Sequence, residues 1–194
     1  MYTRDDYIEK IIPHRLGMIE IMLFSLTEMM QTMEPKGILV YVDGKPLFKG
    51  LETAFTNPAI EAGVINCRAM LEFLGLRLKS GDPKTLAVRP KSKYDDDLHI
   101  ESFSVSGKPL EKVTPQKVRR LAITDPARGE NAMARLLHIS NKEIAHPTLG
   151  RPGEDDDMDF ELLRIGGKGI RALTVSYFYT PLGLNPPPEI IERA

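Results

Sequence analysis

Apolar residues at Ile60, Val64, Cys67, Leu71, Leu74 and Leu78 step by four, three, four, three and four positions. An α-helix turns that spacing into one continuous face, because its 3.6-residue period returns those positions to the same side. Met70 and Phe73 widen the stripe to the breadth of a core-facing helix. Asn57-Pro58 supplies a start, since Asn can cap the first free N–H groups and Pro suits the first helical position. A buried helix is predicted over 57–78. The repeat is too short to require a coiled coil.

A second amphipathic stretch covers about 14–33. Ile19, Met22, Leu23, Leu26, Met29, Met30 and Met33 recur at helical spacing, while Glu20, Thr27, Glu28 and Gln31 fall off the stripe. Glu34-Pro35-Lys36-Gly37 should end it. The run Ile38-Leu39-Val40-Tyr41-Val42 then favours strand. Asp43-Gly44 is a two-residue turn signal, and Pro46-Leu47-Phe48 can return as a second strand. A lone hairpin is marginal in water, so this one should lie against helices.

Thr114-Pro115 and Asp125-Pro126 repeat the cap-plus-proline start. The second opens a helix carrying Ala132, Met133, Leu136, Leu137 and Ile144, which Pro147 should end. From Ser80 onward, Pro83, Pro90, Pro109, Gly81 and Gly107 interrupt the periodic pattern. The segment 80–125 therefore reads as a long irregular crossover with a short helix after Thr114, draped over the helices or closing a pocket. Asp155-Asp156-Asp157 suits a helix N-terminus, where negative charge meets the macrodipole. Gly166-Gly167 and Gly169 should break or kink the next helix. The segment 170–182 fits strand or buried helix, and helix is the reading adopted. Asn185-Pro186-Pro187-Pro188 reads as an extended tail. The expected fold is mainly α, a single domain over 1–194. It would be a helical bundle of about five or six helices with a small β-hairpin.

Charge narrows the function classes. The net charge is −1 and the pI about 6.4, so the molecule as a whole has no field for coating nucleic acid. Charge is locally uneven: 77–93 holds six bases and one acid, 108–128 six and two, and 154–161 six acids and no base. The bland reading of each run is a solvated face. Cys67 is the one cysteine, so no internal disulfide can form. Its place on the apolar seam points to a buried thiol. The first residues lack a signal-peptide pattern, and no run of roughly 18 apolar residues suggests a membrane span. A cytoplasmic location without a membrane partner is expected.

No phosphate loop, dinucleotide fingerprint, nucleophile elbow or zinc-protease helix is present, so no cofactor or metal is expected. Gly166-Gly167-Lys168-Gly169 lacks the strand and spacing of a phosphate loop. His138 and His146 stand two helical turns apart, too far to share one metal ion. Asp95, Asp96, Asp97 and His99 offer hard ligands but not the spacing of a calcium loop. The most suggestive segment is Asn141-Lys142-Glu143-Ile144-Ala145-His146. An Asn, Lys and His at a helix end can polarise a phosphate or hydroxyl, with His146 as acid or base. A His at a helix C-terminus also interacts well with the dipole without any catalytic role.

Asn141 to His146 resembles the late-helix motif of the HEPN superfamily of small helical bundles. In that motif an Arg is followed by a polar residue, and a His stands four to six residues after the Arg. The resemblance implies a metal-independent ribonuclease, usually a dimer with a site across the interface. It places His146, Asn141 and, as a substitute cation, Arg68 or Arg135 in the catalytic role. The chain departs from the motif in having Asn141 and Ser140 where Arg would stand. The segment is also similar to Asn-Lys-x-x-Ala-His segments of uncharacterised bacterial helical proteins, which implies no activity. Arg68 has a plainer reading, an ion pair with Glu72 one turn away. Three functions are therefore expected in order: binding or homodimerisation without catalysis, a HEPN-like ribonuclease acting on RNA, and a small-ligand binding protein.

Overall fold

Thr3 opens the first helical turn with a reciprocal cap. Its hydroxyl accepts from the Asp6 N–H at 3.1 Å, and the Asp6 carboxylate accepts from the Thr3 N–H at 3.0 Å. The computed structural model describes residues 3–30, 34, 36–91, 97–121, 125–141 and 156–189. From Thr3 the chain runs through α1 (Arg4–Asp6) and a π-helical turn (Tyr7–Ile11) into α2 (Ile12–Met30). This is earlier than the expected start near residue 14, because the local cap nucleates the helix. Ile12, Leu16, Ile19, Met22 and Leu26 form its buried stripe.

Strands β1 (Gly37–Val42) and β2 (Lys45–Leu51) form the predicted hairpin. Asp43 and Gly44 both take positive φ, at 50° and 74°, the tight turn whose twist matches antiparallel strands. The chain enters α3 (Thr53–Phe73) directly from β2, four residues ahead of Asn57. The Phe55 and Thr56 N–H groups already bond to the Glu52 carbonyl, at 2.9 and 3.0 Å. Asn57 is therefore not the cap, and Pro58 lies inside the helix. The seam holds from Val64 to Leu74, with Val64, Cys67, Met70 and Leu71 at or below 1% exposure.

The helix stops at Phe73 rather than continuing to Leu78. Gly75 takes φ +94°, and an added Cβ there would stand 2.7 Å from the Lys112 side chain. A left-handed glycine just past a helix closes it. Leu76 and Leu78 then belong to β3 (Leu76–Lys79), paired antiparallel with β4 (Asp82–Val88). The crossover at 80–125 is accordingly not irregular throughout. Beyond β4 it carries a 3₁₀ turn (Ile100–Ser102), the short hairpin β5 (Ser104–Val105) and β6 (Lys108–Pro109), and α4 (Pro115–Arg119). Its prolines and glycines sit at turns and strand ends, which hides the strands from a periodicity reading.

Thr114 and Asp125 are caps as predicted, accepting from the N–H groups of Lys117 and Arg128. They start α4 and α5 (Pro126–Ile139). Helix α6 (Asp156–Thr174) starts in the acidic run and continues through a π turn (Val175–Tyr179) into α7 (Thr180–Leu182). The segment 170–182 is thus helical. Helix α6 does not break at its glycines. A Cβ at Gly166 would lie 2.4 Å from Leu136, and one at Gly167 3.0 Å from Leu23. These glycines let α6 approach α5 and α2 closely.

The structure is mainly α, about 60% helical, with three two-stranded antiparallel sheets among the described residues. Helix α2 packs chiefly on α3, and α5 on α6. One buried cluster joins these helices to β3 and β4, and Phe178 sits within it against Phe73 and Phe103, with ring centroids at 5.3 and 4.9 Å. Edge-to-face rings at such distances add about 0.5–1.5 kcal/mol each beyond their burial. Among the described residues no helix is long and apolar enough to cross a membrane.

Candidate functional site

Glu20, Leu23, Phe24 and Thr27 of α2 recur at i, i+3, i+4 and i+7, so they share one helical face. Arg164, Lys168, Arg171 and Val175, at i, i+4, i+7 and i+11, likewise share one face of α6 and its π turn. The two faces enclose a cleft of about 540 Å³, which Glu189 of the C-terminal segment also lines. That volume lies within the ~300–1,000 Å³ typical of small-molecule sites.

The cleft is two-sided in chemistry. Leu23, Phe24, Ala172 and Val175 supply apolar surface, and Phe24 is left 46% exposed by its own chain. Arg164, Lys168 and Arg171 supply three cations against the carboxylates of Glu20 and Glu189. Arg171 is held from three directions. Its Nη1 donates to Glu20 at 2.6 Å and its Nη2 to the Pro187 carbonyl at 2.8 Å, while Nε stands 3.7 Å from Glu189. The planar guanidinium has donors for each. Arg164 pairs with Glu161 at 3.1 Å. Lys168 is exposed and has no ion-pair partner among the described residues.

Of the catalytic residues named from sequence, Arg68 and Asn141 are among the described residues, and neither lines the cleft. Arg68 donates from Nε to Glu72 at 3.0 Å, the pair expected from their spacing, and both side chains are more than a third exposed. Asn141 is half-buried at the end of α5, next to buried Ser140. His146 lies outside the described residues, as does Lys142. The Gly166 to Gly169 segment is helix interior rather than a phosphate loop or a kink. Only Lys168 of it reaches the cleft. The cleft is lined by α2, α6 and the tail, whereas the 80–125 segment lines a second, more open pocket with Tyr177 and Pro181.

Asp97 and His99 form a different cluster. Asp97 stands 3.7 Å from Arg89 and 3.8 Å from His99 Nε2, and Arg89 Nη1 lies 3.5 Å from His99 Nδ1. Arg89 is thus the charged neighbour that Asp97 and His99 share. Burial first, then the nearby Arg89 charge, holds the His99 pKa below its ordinary value. Asp95 and Asp96 lie outside the described residues. Cys67 is buried as predicted, and burial pushes its thiol pKa far up.

Sequence reasoning missed Glu20, Arg164, Arg171 and Glu189. The basic stripe at 164, 168 and 171 was a usable signal, being i, i+4 and i+7 on one helix. No family model, curated protein or solved structure matches the chain.

Proposed function

We propose that this chain is a binding protein, a helical bundle whose α2/α6 cleft takes a small amphipathic anion. The observation that carries the reading is the pairing of an apolar wall with Lys168, an exposed cation with no ion-pair partner among the described residues. An alkyl or aryl body would cover Phe24, Leu23 and Val175. A carboxylate or phosphate head would meet Lys168 and compete with Glu189 for Arg171. Burying apolar surface contributes about 25 cal/mol per Å², and the head group fixes orientation through charge-assisted hydrogen bonds.

Thermal denaturation with octanoate, octanol and octylammonium tests this. A ligand that binds the folded state alone stabilises it by about 2.7 kcal/mol at a hundred times its Kd. Octanoate should raise the melting temperature most and octylammonium least. Equal shifts from all three, or none from octanoate, would overturn the assignment.

A further inference from the structure

Among the described residues β1 and β2 pair only with each other. Such a hairpin is marginal in water unless something covers it. One face, with Val40 opposite Phe48, leans on α3 through an edge-to-face contact of Phe48 with Phe55 at 5.0 Å. The other face is open, with Leu39 46% and Tyr41 57% exposed.

The two edges of the hairpin differ. The outer edge of β2 carries Lys45, Pro46 and Lys49, residues that discourage further pairing. The outer edge of β1 is Gly37-Ile38-Leu39-Val40-Tyr41-Val42, without charge or proline. This is an unprotected pairing edge.

Turn geometry fixes which groups face outward. The two-residue turn makes Val42 and Lys45 the closing pair. Main-chain groups in an antiparallel strand alternate between the two edges, so those of Leu39 and Tyr41 point away from β2. The same conclusion follows from Pro46, which has no N–H and stands opposite Tyr41. Two outward residues flanking Val40 are self-complementary under a two-fold axis.

We propose that β1 pairs antiparallel with β1 of a second copy about an axis at Val40, giving a four-stranded sheet across a homodimer. Leu39 of each chain then exchanges both main-chain hydrogen bonds with Tyr41 of the other. On the open face this seam sets Leu39 of one chain directly opposite Tyr41 of the other, 46% and 57% exposed, so each covers the other's apolar surface. The main-chain bonds carry the contact, as in strand addition to an open edge.

This register places Val40 opposite Val40 of the second copy in a non-hydrogen-bonded pair. Cα atoms there stand about 4.5 Å apart, within disulfide reach. Val40→Cys should cross-link under mild oxidation, and Cys67 is buried and does not compete. Leu47→Cys is the control, since Leu47 is 70% exposed and a collisional disulfide would favour it. Wild-type protein should approach twice the 21.8 kDa chain mass by light scattering as concentration rises. Val40→Cys should give the dimer band on a non-reducing gel at least about tenfold faster than Leu47→Cys, as expected for a held pair against a diffusing one. A monomer mass at every concentration overturns the proposal. So does Leu47→Cys linking as fast as Val40→Cys.

Discussion

Glu20 of α2 and Arg171 of α6, 151 residues apart in the chain, meet at 2.6 Å on the wall of the cleft. Glu20 is 8% exposed, so the guanidinium offsets part of the desolvation of its carboxylate. Removing one partner of a buried pair costs more than the pair contributes, because the other charge stays desolvated. Arg171→Met should lower unfolding stability by about 2–4 kcal/mol, with the partial exposure of Arg171 keeping it below the fully buried range. Glu20→Gln should cost less. A double-mutant cycle in urea should give a coupling above ~1 kcal/mol. A coupling near zero would mean that the contact does not hold α2 and α6 together.

Glu130 ties three elements. It is 5% exposed on α5, accepts from the Leu86 N–H of β4 at 3.2 Å and binds Arg119 at the end of α4. Glu130→Ala leaves the Leu86 N–H unserved and should destabilise by about 2–4 kcal/mol. Glu130→Gln keeps an acceptor and should cost about 1 kcal/mol. Equal losses in the two variants, read by urea denaturation, would contradict this division.

How much of this was legible in the sequence follows from what each feature depends on. The Thr114 and Asp125 caps are local, since each side chain serves an N–H three residues on, and both were readable. The end of α3 was not. Leu71, Leu74 and Leu78 keep the helical period, while Leu74, Leu76 and Leu78 keep the strand period, so the same residues satisfy both patterns. Gly75 decides between them, and its close approach to Lys112 is a tertiary fact. Gly166 and Gly167 misled for the same reason, because a glycine that permits helix contact looks like one that ends a helix. The cleft was hidden because its acid, Glu20, and its bases come from opposite ends of the chain. The HEPN resemblance drew attention instead to His146, outside the described residues, and to Arg68, whose partner is Glu72.

His99 gives a stability term with a defined sign. Arg89, Asp97, Glu101 and Lys112 surround it, and its folded pKa is depressed, first by burial and then by Arg89. The folded state therefore favours the neutral ring. In the unfolded chain His99 takes up a proton at its ordinary value, so the unfolded state binds more protons between that value and the lower folded one. Stability should fall as pH drops from about 7 through that window, and level off below the folded pKa. His99→Gln should flatten this part of the profile. An unchanged slope in the variant, followed by chemical denaturation across pH, would assign the term elsewhere.

The cleft offers two opposite charge changes. Lys168→Glu replaces this exposed cation with an anion and should weaken octanoate binding at least tenfold, or about 1.4 kcal/mol. Its stability should change by less than about 0.5 kcal/mol, because an exposed side chain with no ion-pair partner among the described residues loses little. Glu189→Gln acts the other way. Glu189 stands 3.7 Å from Arg171 and is 68% exposed, so it screens the guanidinium without being held in place. Removing its charge should tighten octanoate binding by a few-fold and leave octanol binding unchanged, since an exposed pair contributes ~0–1 kcal/mol. Titration calorimetry on both variants separates a charge-selective site from a merely greasy one. If octanoate affinity responds to neither substitution, the basic stripe of α6 does not read the ligand's head group.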